Sequence, residues 1–419
     1  MSVDALAITG GHPLQGEARI YGAKNAALPI LAASVMVEGT CVIDDVPELE
    51  DVRVMIEILR NLGARVEREG TRVVVDSRYI QHTNVPADLM RRMRSSIFLM
   101  GPLLARFGEV RVSKPGGCVI GQRPIDYHVR GMRMLGAAIE EKHGYIRCTA
   151  NRLHGTVVTL DFPSVGATEN LIMAAALADG VTIIENAARE PEIVDLANFL
   201  RACGAVIEGD GEASIRVVGV HHLTGTEHRI IGDRIVAGTI LIAAAATHGH
   251  VTVHGVQSSH LGSLLGKMRE SGIRVDAARD IITVECSGPY RAVDLRTEPF
   301  PGFPTDLQAP MMAMLTTAQG TSVIRENVFE ARFKHVNELA RMGADISVDM
   351  RTAVVRGVSG LSGARVECTD LRGGAALIIA GLMADGVTYV ENLYHVDRGY
   401  QSIDSYLREL GAQIERVQL

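Results

Sequence analysis

The stretch LRNLGARVE, residues 59–67, runs from the end of a helical pattern into a strand through a single glycine. A glycine just past a helix takes the left-handed conformation that other residues resist, and so turns the chain sharply. The same pattern returns as MRMLGAAIE (132–140), LRACGAVIE (200–208), MRESGIRVD (268–276), LARMGADIS (339–347) and LRELGAQIE (407–415). Its glycines, Gly63, Gly136, Gly204, Gly272, Gly343 and Gly411, recur about every 70 residues, the mark of an internally repeated architecture.

Working outward, each repeat opens on an apolar, small-residue helix: NAALPILAASVM (25–36), SSIFLMGPLLA (95–105), NLIMAAALA (170–178), AGTILIAAAA (237–246), APMMAMLTTA (309–318) and GGAALIIAGLMA (373–384). A short polar turn and a strand follow (TCVIDDV, EVRVSKP, VTIIENA, HVTVHGV, TSVIREN, VTYVENL), then a second helix with polar residues at solvent-facing spacing. Helices apolar on nearly every face must be buried on every side, and these are too short to span a bilayer. The expected fold is α/β, with three buried helices at the centre of each of two domains and short sheets and amphipathic helices outside. Strand-like segments 5–8 and 18–21 precede the first repeat as 214–218 and 228–231 precede the fourth. That symmetry predicts one domain from 22–230 and another from 1–21 with 231–419, hinged around a cleft.

With no Trp and 4% aromatic residues, the chain of 419 residues lacks platforms on which unpaired bases stack. Its net charge of −7 gives no global attraction for nucleic acid. The N-terminal residues show neither a basic region nor a long apolar core, so a cytoplasmic protein with no nucleic-acid or membrane partner is expected. No P-loop, dinucleotide fingerprint or zinc-ligand spacing occurs, and no cofactor or metal is expected.

Five cysteines, Cys41, Cys148, Cys203, Cys286 and Cys368, fall in strand-like runs or at a helix end and read as small buried apolar side chains. Cys118 differs. It lies in KPGGCVIGQRP (114–124), a glycine loop between a strand and a helical pattern beginning near Ile125, with Lys114 and Arg123 on either side. Neighbouring cations lower a thiol's pKa, which makes this the cysteine to examine for chemistry.

Polar residues gather where the buried helices begin: Lys24-Asn25, Arg91 to Ser95, Ser164 to Asn170, Asp233-Arg234, Thr305-Asp306 and Asp370 to Arg372. Helix N-termini attract anions. Ser164, Asp233 and Asp370 read as ordinary caps, whereas Lys24 and Arg94 oppose the helix dipole and call for another reason. Turns after the strands carry Arg123, Arg189, Arg332 and Arg398. Together these residues suit a multiply anionic small-molecule substrate.

The segments GAKNAALPIL (22–31), MRSSIFLMGPLLAR (93–106), PGGCVIGQRPID (115–126), SVGATEN (164–170) and FPTDLQ (303–308) closely resemble the enolpyruvyl transferase family, in its UDP-N-acetylglucosamine 1-carboxyvinyltransferase branch. The resemblance spans the whole chain and implies two inside-out α/β barrels. It implies transfer of the enolpyruvyl group of phosphoenolpyruvate to the 3-hydroxyl of UDP-N-acetylglucosamine, with release of phosphate, at the entry to peptidoglycan synthesis. Position by position, it implies Cys118 as proton donor, Asp306 as proton acceptor, and Lys24, Arg123 and Arg398 as phosphoenolpyruvate-binding cations. For the nucleotide sugar it implies Asn25, Arg94, Arg123, Pro124, Ile125, Asp126, Tyr127, Ser164, Val165, Asp306 and Val328. A phosphoenolpyruvate-like epoxide inhibitor is expected to act at Cys118. Val236, Pro310 and Ala331 depart from the common pattern, where a carboxylate, a polar residue and Asn are usual. The alternatives are the sister activity on shikimate 3-phosphate and a non-catalytic nucleotide-sugar-binding paralogue.

Overall fold

The computed structural model describes residues 4–113 and 125–419, and the side chains of all but 94–96 among them. All six repeat glycines follow their helices with φ between 92° and 108°, so the turn that the sequence pattern demands is made six times. The six opening helices are α1 (Lys24–Ala33), α2 (Met100–Phe107), α3 (Val165–Ala176), α4 (Arg234–Ala246), α5 (Gln308–Leu315) and α6 (Leu371–Met383). Every residue of α4 and α5 is buried, and in α1 only Asn25 is exposed.

One expectation needs correction. The run SSIFLMGPLLA is not a single helix: a 3₁₀ turn, Arg94–Leu99, precedes α2. Pro102 has no N–H to donate back to Phe98 and sits in the first turn of α2, where that loss costs nothing; α1 by contrast carries Pro29 in its interior.

The chain folds as two compact units, one of residues 4–21 and 232–419 and the other of 22–113 and 125–231. In the first, α4, α5 and α6 pack against one another, inside three four-stranded sheets. The strand Asp4–Thr9 lies between Val387–Glu391 and Gln413–Gln418, antiparallel to both. Gln15–Arg19 pairs parallel with His250–His254. The start of the chain thus supplies strands to the last three repeats. In the second unit α2 packs on α3, and Glu227–Arg229 pairs parallel with Thr40–Asp44. Strand residues alternate between core and solvent, as in Arg72–Asp76, the pattern of a sheet covering a core on one face.

The helix-end turns differ in how much room they leave. A Cβ at Gly272 would meet nothing within 4 Å, whereas one at Gly63 would lie 2.6 Å from the Tyr79 carbonyl oxygen. Gly272→Ala should cost about 1–2 kcal/mol, the left-handed backbone penalty alone. Gly63→Ala should cost distinctly more, and equal shifts of the two urea midpoints would refute the steric difference.

Candidate active site

In the unit of residues 4–21 and 232–419, Pro304 is extended and hands the chain to a 3₁₀ turn, Thr305–Leu307, just ahead of α5. The turn presents Asp306 to two arginines. Arg372, in the first turn of α6, donates from Nε at 3.0 Å and Nη2 at 2.7 Å to Oδ2. Arg332 donates from Nη2 to Oδ1 at 2.8 Å. Burial alone would raise the Asp306 carboxyl, but the Arg372 and Arg332 guanidiniums overcome it and hold the group well below the usual carboxylate range. Burial likewise disfavours the Arg372 cation, and Asp306 outweighs that effect.

The clamp leaves valences unused. Nε and Nη1 of Arg332 and Nη1 of Arg372 are buried with no hydrogen-bond partner among the described residues. Such donors are costly to leave unmet, and a carboxylate or phosphate is the group that fits a guanidinium edge. The Arg372 guanidinium also lies 5.4 Å from the centre of the buried Tyr400 ring. The Tyr400 hydroxyl is hydrogen-bonded to Thr239 of α4 at 2.9 Å. Arg398, half-buried, caps the short helix Tyr394–Asp397. Asp397 is gripped at 3.0 and 2.6 Å by Arg416.

In the other unit Lys24 is the first residue of α1 and is buried. Its Nζ lies 3.2 Å from Asp51 Oδ2, in the first turn of the helix Glu50–Leu62. Asp51 thus supplies the negative charge that the helix dipole denies Lys24. Asn170 of α3 ties three elements together. Its Nδ2 donates to the Ile97 carbonyl and to His128 Nδ1, both at 3.0 Å, and its Oδ1 accepts from Gly101 N–H at 2.8 Å. These are the turn carrying Arg94, the helix Asp126–Met134, and α2. Burial pushes His128 down to about 4, so its ring is neutral, with the proton on Nε2.

Of the residues singled out in the sequence, Ser164, Asp233 and Asp370 are caps, accepting from the first N–H groups of α3, α4 and α6. Those three N-termini are therefore occupied by their own side chains. Ile125, Tyr127 and Val165 are half-buried and Asp126 is exposed, in the unit that holds Lys24 and Asn25. Asp306, Val328 and Arg398 belong to the other unit. Cys118, Arg123 and Pro124 lie outside the described residues, as does the side chain of Arg94. The five remaining cysteines are buried. Val236 is buried in α4, and Pro310 is in the first turn of α5, where no intrahelical N–H bond is lost. The sequence pattern assigns no individual role to Arg332, Arg372, Asp51 or Asn170. The arginines stand in repeat-equivalent polar positions, which is the available signal; the partnership of Lys24 with Asp51 spans two helices and leaves no local trace. Among the described residues no group of three or more His, Cys, Asp or Glu could hold a metal.

A chain of repeated α/β units with a carboxylate held between two arginines has clear relatives. The model of the EPSP synthase (3-phosphoshikimate 1-carboxyvinyltransferase) family matches residues 8–407. The crystal structure of the enolpyruvyl transferase NikO from Streptomyces tendae superposes over all of both chains with a TM-score of 0.91 at 26% identity. The UDP-N-acetylglucosamine 1-carboxyvinyltransferase 2 of Carboxydothermus hydrogenoformans is 54% identical, over 99% of this chain and 100% of its own. That of Caldanaerobacter subterraneus subsp. tengcongensis, numbered 1, is 52% identical over 96% and 97%. Fold and site together define an enzyme of the enolpyruvyl transferase class. Within that class the chain belongs to the UDP-N-acetylglucosamine 1-carboxyvinyltransferase family.

Two buried imidazoles set a pH dependence. His335, beside Asp370 and Arg332, is pushed down to about 4 by burial, as His128 is in the other unit. An unfolded imidazole takes its proton near pH 6.5, so between about pH 6.5 and 4 the folded chain binds fewer protons than the unfolded one. Stability should fall as pH drops through that window, by about 1.4 kcal/mol per pH unit for each histidine. Urea unfolding at pH 6.5, 5.5 and 4.5 should show the slope, and His128→Gln and His335→Gln should each flatten it; an unchanged slope in both variants would refute the assignment.

Proposed function

We propose that the chain transfers the enolpyruvyl group of phosphoenolpyruvate to the 3-hydroxyl of UDP-N-acetylglucosamine, releasing inorganic phosphate, as the first committed step of peptidoglycan synthesis. The observation that carries this reading is identity of 50–54% along nearly the whole chain to relatives of that name. The sister activity on shikimate 3-phosphate lacks comparable support. No helix among the described residues is long and apolar enough to cross a membrane, and a cytoplasmic setting suits two anionic substrates.

Adding an alcohol across an enol ether needs one proton removed from oxygen and another delivered to carbon. In this reading Asp306 takes the proton of the sugar hydroxyl, whose oxygen bonds to C2 of phosphoenolpyruvate. The C2–C3 π pair takes a proton from Cys118, giving a tetrahedral phosphoketal. The Cys118 thiolate then takes back a C3 proton, which restores the double bond as the C2–O bond breaks and phosphate leaves with the proton that Asp306 had taken up. A thiol with a pKa near 8.5 is about 3% thiolate at pH 7 and is mostly able to donate; a serine hydroxyl is far too weak an acid.

Lys24, Arg123 and Arg398 meet the phosphate and carboxylate of the donor. Asn25, Arg94, residues 123–127, Ser164, Val165 and Val328 hold the nucleotide sugar. The two arginines that keep Asp306 ionised also keep it a weak base. An anionic donor drawing on their unpartnered N–H groups would loosen that hold, so that the base gains strength when both substrates are present.

Phosphate release on mixing the two substrates is the direct test; release with shikimate 3-phosphate in place of the nucleotide sugar would overturn the choice of acceptor. Cys118→Ser should lose at least about 100-fold in kcat while still binding UDP-N-acetylglucosamine, a loss in the range of one general acid. Full activity of that variant would remove Cys118 from the acid role. A small phosphoenolpyruvate-like epoxide should label Cys118 and none of the five buried thiols, which peptide mass mapping would reveal.

A further inference from the structure

The residue that follows the strand of each repeat sits at an equivalent turn. In four described repeats it is Asp45, Asn186, Gly255 or Asn392, each with φ between 53° and 85°. These are the residue types that tolerate the left-handed region. The fifth repeat breaks the rule: its residue is Glu326, outside that conformation and fully buried. Among the described residues no cation pairs with it. An uncompensated buried carboxylate is unfavourable unless hydrogen bonds replace its hydration, and here they do. Oε1 accepts from the Thr297 hydroxyl at 2.8 Å and from the Val328 and Phe329 N–H groups at 2.9 and 3.0 Å. Oε2 accepts from the Thr305 hydroxyl at 3.0 Å.

The two oxygens face different parts of the site. Oε1 shapes the turn that carries Val328. Oε2 holds the residue next to Asp306, at the start of the 3₁₀ turn. Four neutral donors on one carboxylate make a rigid joint, because shifting either segment would leave a buried acceptor unmet.

We propose that Glu326 is a positioning residue, which through Thr305 locks the Asp306 turn to the Val328 backbone so that proton acceptor and acceptor-sugar segment keep a fixed geometry. This rests on the function proposed above, and wild-type phosphate release separates the two: without it that reading fails, and with it the variants decide this one. Thr305→Val removes the hydroxyl at nearly constant volume and should lower kcat about tenfold, with KM for phosphoenolpyruvate within about twofold of wild type. Thr305→Ser keeps the hydroxyl and should restore kcat. Glu326→Gln exchanges the oxygen facing Thr305 for an N–H donor and should also lower kcat about tenfold. The double variant should be no worse than the poorer single one, because both act through one bond. Wild-type kcat in Thr305→Val, no rescue by Ser, or losses that multiply to about a hundredfold would each overturn the proposal. Should Glu326→Gln fail to fold, the Val and Ser variants at Thr305 still decide it.

Discussion

A helix such as α4, buried along its whole length, offers no face to water and cannot stand at the edge of anything. It must be enclosed by other apolar surfaces, and a single sheet covers only one side of it. Three such helices packed together cover each other's inner faces, and three sheets with their amphipathic helices cover the rest. Small side chains let the helices approach closely. The left-handed glycine at the end of each outer helix then becomes a requirement, because the chain must reverse into a strand of the enclosing sheet within one or two residues. Interior helices and outer sheets are one solution to one constraint, repeated six times.

The same enclosure decides where polar chemistry can live. Along a helix that is apolar on every face a charge has no place, but at its first turn the backbone N–H groups are open and the chain is emerging from a sheet. Lys24, Asp306 and Arg372 all stand at or just before such a first turn. The clamp of Asp306 between Arg332 and Arg372 is a consequence. Two helix starts and one strand-following turn of the same unit bring charges into partial burial, where their mutual attraction is far stronger than in water.

Much of this is legible in the amino-acid sequence, and the reasons are local. The helix–glycine–strand signature fixes its own geometry, and full-length apolar helices admit one environment. Caps such as Ser164, Asp233 and Asp370 sit within three residues of the N–H groups they serve. Pairing across distance leaves no such trace. Asp51 partners Lys24 from another helix, and Asn170 reaches Ile97, Gly101 and His128 on separate elements. The break ahead of α2 has only a weak local sign: Pro102 disfavours a continuous helix through Phe98, yet α1 runs on past Pro29, and the apolar run masks the difference.

A sixfold repeat also offers an internal control that a unique fold lacks. Where one requirement recurs, the same residue type recurs, as Gly does at 63, 136, 204, 272, 343 and 411. A polar residue that merely serves the scaffold should have filled valences. Asp233 and Asp370 meet that criterion, each carboxylate accepting from the helix it starts. Arg332 and Arg372 do not: they spend some N–H groups on Asp306 and keep others buried and unmet. Unmet buried polar atoms also occur at Glu169, Gln308 and His335; what sets the two arginines apart is that their unmet donors belong to guanidiniums already gripping Asp306. That arrangement makes sense when the missing acceptor arrives from outside, which distinguishes the arginines of this site from the caps beside them.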